Sequence, residues 1–155
     1  MCQHSAQVRL ANLLDLIPIA QLAERYFSEV KTMRNHSLCV ETLMQGLAAS
    51  VLADDGYVSV LEVDGKIVGG FWGVITNQPW SATKFAQDVI LVVDKDLRKG
   101  HGLKLIKAWV SWAKDKGAKE VYLSTASGIE TERFNRLANK LGFSLVGHGF
   151  SKEIT

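Results

Sequence analysis

The sequence predicts an α/β fold, a mixed central sheet layered with helices, on three observations. A β-branched run, Ile90 to Val93, passes through a basic, glycine-bearing loop into an amphipathic helix and then into another short apolar run at 120–124. That is a strand, helix, strand crossover. Two β-type runs, 57–63 and 66–76, meet at Asp64-Gly65, a strong hairpin signal. Two stretches ahead of the hairpin carry apolar residues at spacings of three and four. With 155 residues, 47% of them hydrophobic, the chain has one domain's worth of core, and a single domain over 1–155 is expected.

Each element has its own signal. Gln7 to Ala11 suits a short first strand, after which Asp15 and Pro18 mark a helix start. Ile19, Leu22, Tyr26 and Val30 then share one helical face. His36 to Leu38 reads as a loop, and Val40, Leu43, Met44, Leu47 and Val51 form a second amphipathic helix that Asp54-Asp55-Gly56 ends. Gly69, Gly70 and Gly73 interrupt the second hairpin strand, where they either accommodate a twist or let something lie close to the backbone. Pro79-Trp80-Ser81 sits in a loop, with Trp80 either packing or forming part of a substrate wall.

Ala86 to Val93 is the central strand. The following helix, 103–116, buries Leu103, Ile106, Val110 and Ala113, widened by Trp109 and Trp112, and Gly117 caps it. Glu120 to Ser124 is the next strand, and Ser127 with Glu130 has capping-box spacing for a last helix whose inward face is Phe134, Leu137, Ala138 and Leu141. Phe143 to Val146 and Gly149 to Ile154 close the chain as strands. The expected order is β-α-α-β-β-β-α-β-α-β-β.

Composition excludes several classes of function. A net charge of +2 is too small to argue for nucleic acid or an anionic membrane as partner. No apolar run approaches the roughly 20 residues of a membrane span, and MCQHSAQ has no signal-peptide pattern, so a cytoplasmic soluble protein is expected. Cys2 and Cys39 are too few for a disulfide framework or a thiolate zinc site, and no metal is expected. Charge is uneven, however: between Asp94 and Glu120 eight Lys or Arg face four acids.

That excess surrounds Arg98, Lys99, Gly100, His101 and Gly102, placed just before a helix start where free N–H groups and the positive dipole end favour an anion. The loop lacks the G-x-x-x-x-G-K-[ST] of a Walker site, and GHGLKL lacks the third glycine of the dinucleotide fingerprint. What the stretch resembles is motif A of the GNAT family of N-acetyltransferases, in which a strand ending in hydrophobic-x-Val leads into a [QR]-x-x-G-x-[GA] loop and a helix. Val93-Asp94, Leu97-Arg98 and Gly100-His101-Gly102 carry the match. The spacing differs by one: either Leu97 holds the [QR] position, or Arg98 does and the loop is a residue short. The full element order is also that of the family, and Leu141-Gly142-Phe143 ends the last helix as its members commonly do.

The resemblance implies a mixed, mostly antiparallel sheet with helices on both faces and a splayed cofactor-binding cleft. It implies acetyl-coenzyme A as cofactor, its pyrophosphate held by Arg98, Lys99, Gly100, His101 and Gly102 with Leu103 and Lys104 of the first helical turn. The backbone of Leu91 and Val93 would pair with the pantetheine arm, Val92 pointing the other way. Thr131 stands where the family often has a cofactor-binding Asn. A general base is often a carboxylate on the central strand; Asp88 is the acid there and is either that base or structural, since the family position can also correspond to Gln87. The frequent Tyr acid is replaced by Ala138, leaving a water, Ser124, Ser127 or Tyr122 to supply the proton.

The implied activity is acyl transfer to a primary amine, on a small molecule or a peptide, by direct attack in a ternary complex. A coenzyme A binding module without turnover and a structural interaction protein are the alternatives. A homodimer is compatible with the family pattern, and no exposed patch in the sequence decides it.

Overall fold

In the computed structural model, which describes residues 5–30, 36–125 and 130–154, the chain opens with β1 (Ala6–Leu10). Arg9 anchors this strand: its guanidinium donates to both carboxylate oxygens of Asp15, at 2.7 and 2.9 Å, and to Glu62 at 2.8 Å. Asp15 in turn accepts from the Asn12 amide, and Asn12 caps the turn from Leu13 to Asp15 that leads into α1 (Leu16–Glu29). The helix start signalled by Asp15 is therefore real, and α1 ends one residue before Val30, which is buried. α2 (Val40–Leu52) follows.

β2 (Gly56–Val63) and β3 (Lys66–Asn77) form the expected hairpin. Asp64 and Gly65 have φ of +52° and +76°, the paired positive values that a two-residue turn matching the strand twist demands. β4 (Lys84–Val93), α3 (Arg98–Asp115), β5 (Glu120–Tyr122) and α4 (Thr131–Lys140) complete the regular structure. The sheet order is β1-β2-β3-β4-β5, every neighbour antiparallel except the parallel β4–β5 pair that the α3 crossover creates.

Helices cover both faces, as the fold class requires. On one, Leu105, Ile106, Trp109 and Ala113 of α3 pack on Leu61, Phe71, Ala86 and Val93, with Leu137 and Leu141 of α4 against the same cluster. Trp109 is fully buried and stacks on Phe71 at 4.7 Å. On the other, Leu22 and Tyr26 of α1 meet Val92, and Leu47 of α2 meets Val58. Val92 thus faces away from Leu91 and Val93, as strand alternation predicts.

Several expectations need correction. α3 begins at Arg98, not Leu103, so the glycine loop is the helix's first turn rather than a lead into it. The two closing strands are absent: 143–154 forms neither helix nor sheet pairing. A strand pattern needs a partner edge to become a strand, and this segment instead leaves Leu145, Val146, Phe150 and Ile154 exposed. Trp80 is 81% exposed at the β3–β4 turn, so it does not pack in the core, and it lines neither cavity described below. The Ser127 capping box lies outside the described residues.

Candidate active site

The chemistry collects where β4 and β5 part. They pair only from Phe85 to Gln87 against Glu120 to Tyr122. Beyond Gln87, β4 runs on to Val93 with no strand beside that edge among the described residues, and a cavity of about 510 Å³ opens there. β4 is also bulged: Ile90 faces Trp72 while Asp88 faces Gly73, so Val89 is the extra residue. A bulge re-aims the side chains that follow it, and here it keeps Asp88 on the α3 side of the sheet with Leu91.

Asp88 stands at the apex of the split. It is 8% exposed, and its carboxylate accepts from the backbone N–H and the hydroxyl of Ser124, each at 3.1 Å. Burial pushes its pKa above the ordinary carboxylate value, and the two hydrogen bonds from Ser124 oppose that rise. Both residues line the cavity. The carboxyl group is therefore accessible to a ligand yet poorly hydrated, as a proton acceptor requires.

The first turn of α3 makes the next wall. Arg98, Gly100, Gly102 and Leu103 line the cavity, together with Leu91 and Val93 of β4. Gly100 takes φ +82°, a conformation that favours glycine, and a Cβ at Gly100 or Gly102 would meet nothing within 4 Å. Both glycines thus leave their part of this wall of the cavity free of side chains. The Arg98 side chain is engaged otherwise: Nε donates to the Val93 carbonyl at 3.0 Å and Nη2 to both oxygens of Glu29 at 3.0 and 2.9 Å. It clamps the end of β4, the end of α1 and the start of α3. Lys99 lies in the same turn. His101, Lys104 and Thr131 stand outside the cavity wall; Lys104 and Thr131 are exposed, and the buried Nδ1 of His101 has no hydrogen-bond partner among the described residues.

The far wall is α4, which contributes Phe134 and Leu137 and three cations, Arg133, Arg136 and Lys140. Arg133 pairs with Glu130 at 3.2 Å; Arg136 and Lys140 have no ion-pair partner among the described residues. These cations escaped the sequence reading, which followed only the apolar stripe of the helix. Their signal was the spacing of three and four residues that puts them on one face. Among the hydroxyls considered as proton donors, Tyr122 is committed to Glu120 at 2.9 Å and does not line the cavity, whereas Ser124 does.

A split parallel strand pair beside a helix N-terminus, with a buried carboxylate at its apex and cations opposite, lines this one cavity. The Acetyltransferase (GNAT) family profile matches residues 16–143, and the chain belongs to this family, whose members are N-acetyltransferases drawing the acetyl group from acetyl-coenzyme A. No curated protein matches the chain. Among solved structures, an aminoglycoside acetyltransferase from an uncultured soil metagenomic sample, meta-AAC0020 in complex with sisomicin, is 26% identical over 96% of this chain and 97% of that one, with a TM-score of 0.69. Aminoglycoside N-acetyltransferase AAC(6')-Iy in complex with coenzyme A is 18% identical over 98% and 96%, with a TM-score of 0.74. A ribosomal-protein-alanine N-acetyltransferase from Brucella melitensis biovar Abortus 2308 is 17% identical over 97% and 100%, also at 0.74.

Proposed function

We propose that the protein transfers an acetyl group from acetyl-coenzyme A to a primary amine, with both substrates bound together and the amine attacking directly. The observation that carries this is the Asp88–Ser124 pair at the β4–β5 split, set in one cavity with the open first turn of α3. Acetyl-coenzyme A supplies an activated acyl group on a thioester. The residues present fit it: the first turn of α3 offers the free N–H groups of a helix start to phosphate, Arg136 and Lys140 add positive charge, and the open edge of β4 offers backbone groups to an amide-bearing arm.

Asp88 accepts the proton that the attacking amine releases, its raised pKa suiting the transfer. Ser124 orients the carboxylate and is the described hydroxyl placed to return a proton to the leaving group. The acceptor is a small-molecule or peptide amine, a range supported by the neighbours' own substrates, sisomicin in one complex and a ribosomal-protein alanine in another name. A coenzyme A binding module without turnover is the second reading, favoured by Ala138, which has no proton to give.

Calorimetric titration with acetyl-coenzyme A tests the site, with wild type and Gly102→Asp side by side. Because a Cβ at Gly102 meets nothing within 4 Å, the variant should fold normally and lose binding through charge repulsion at the phosphates. Unchanged affinity in the variant would remove α3 from the phosphate site. Thiol release on adding amines then separates turnover from mere binding.

A further inference from the structure

A second cavity, of about 220 Å³, lies between the sheet and helices α1 and α2. Val89 and Ile90, at the bulge of β4, line both this cavity and the active-site cavity. Leu22 and Phe27 of α1, Leu43 and Leu47 of α2, and Trp72 and Val92 of the sheet wall it, and no ionisable side chain lines it.

Its floor is Gly70. The three glycines of β3 differ in what a Cβ would meet. At Gly69 it would lie 3.0 Å from the Val92 carbonyl and 3.4 Å from Leu61, and at Gly73 it would lie 2.6 Å from Trp109 Nε1. Packing accounts for both. At Gly70 it would meet only the Ser59 carbonyl, at 3.1 Å, with the cavity beyond. Gly70 has no positive φ; the Ser59 carbonyl crowds a Cβ there about as closely as the Val92 carbonyl crowds one at Gly69, and the absent side chain leaves the floor of the cavity open.

We infer that this cavity receives the acyl chain of the donor, so that the enzyme accepts acyl thioesters longer than acetyl, up to about six carbons. The inference rests on the acyl-coenzyme A reading of the first cavity. An amine approaching as an ammonium finds no counter-charge in the second cavity and would lose its hydration there; it finds Asp88 in the first. The group left to cross the bulge is the one attached to the reacting carbonyl. Its size follows from the volume: a cavity of about 150 Å³ holds a benzene ring, and this one is larger. The chemistry is unchanged by chain length. The amine nitrogen bonds to the acyl carbon, the carbon–sulfur bond breaks, and the proton that the amine loses balances the one that the sulfur gains.

The test is calorimetric titration of the full chain with coenzyme A, acetyl-coenzyme A and hexanoyl-coenzyme A. Each buried methylene is worth about fourfold in affinity, so hexanoyl-coenzyme A should bind wild type at least about tenfold more tightly than acetyl-coenzyme A. Gly70→Val, or the smaller Gly70→Ala should valine impair folding, should abolish or reduce that advantage while leaving coenzyme A affinity unchanged. Equal affinities for the two thioesters in wild type would overturn the acyl pocket alone and assign the cavity to an apolar part of the acceptor or to packing. No binding of coenzyme A by folded wild type would overturn the acyltransferase reading and this inference with it.

Discussion

Asp88 is the residue on which catalysis and stability pull in opposite directions. Its pKa in the folded chain is raised by burial, so the native state holds this proton more tightly than the unfolded state does. Stability from this group is therefore greatest at acid pH and falls as pH rises from the ordinary carboxylate value to the raised one. Asp88→Asn should lower kcat/KM and flatten its rise with pH, leave acetyl-coenzyme A affinity nearly intact, and give a Tm at neutral pH no lower than wild type. Ser124→Ala removes a hydrogen bond that opposes the shift, so the acid limb of its pH–rate profile should move to higher pH. An unmoved limb in Ser124→Ala with a normal profile in Asp88→Asn would take both residues out of proton transfer. Asp15 shows the opposite sign: the Arg9 hydrogen bonds hold its pKa low, so its contribution is present above the ordinary carboxylate value and lost as pH falls below it.

Among the elements, α3 is positioned by a side chain that first looked like a ligand contact. Arg98 joins the end of β4, Glu29 of α1 and its own helix, and its side chain is 17% exposed. Removing it strands the Glu29 carboxylate and the Val93 carbonyl, at a cost of roughly 2 kcal/mol. Arg98→Ala should therefore lower Tm by roughly 4 to 8 °C in a chain of this size, and it should weaken acetyl-coenzyme A binding by less than Gly102→Asp does, since the phosphates are left to backbone donors. Loss of binding without loss of stability would mean that the guanidinium meets the ligand after all.

The same helix shows what could be read in advance. The crossover, the hairpin at Asp64-Gly65 and the apolar stripes of α1, α2 and α3 were legible because each depends on local periodicity or turn chemistry. The start of α3 was not, because Gly100, at φ +82°, and Gly102 read as loop residues although α3 already runs from Arg98. Asp88 was legible as an acid in an apolar strand, but its partner was not: Ser124 lies 36 residues on and reaches it only where two strands diverge. The cations of α4 were hidden by the habit of reading a polar helix face as solvated, which holds unless a cavity lies beside it.

Over the whole molecule, the last twelve residues are the outlier. Leu145, Val146, Phe150 and Ile154 are each more than three-quarters exposed, and the outer edge of β5 has no strand beside it among the described residues. Truncation after Phe143, which packs against the core, should leave the Tm of a dilute sample nearly unchanged and lower the light scattering of a concentrated one. A dilute sample that melts earlier after truncation would show the tail to be part of the fold. Were copies of the chain to associate through the apolar tail and the open sheet edge, the melting temperature would rise with protein concentration, and two laboratories working at different concentrations would report different stabilities for one sequence.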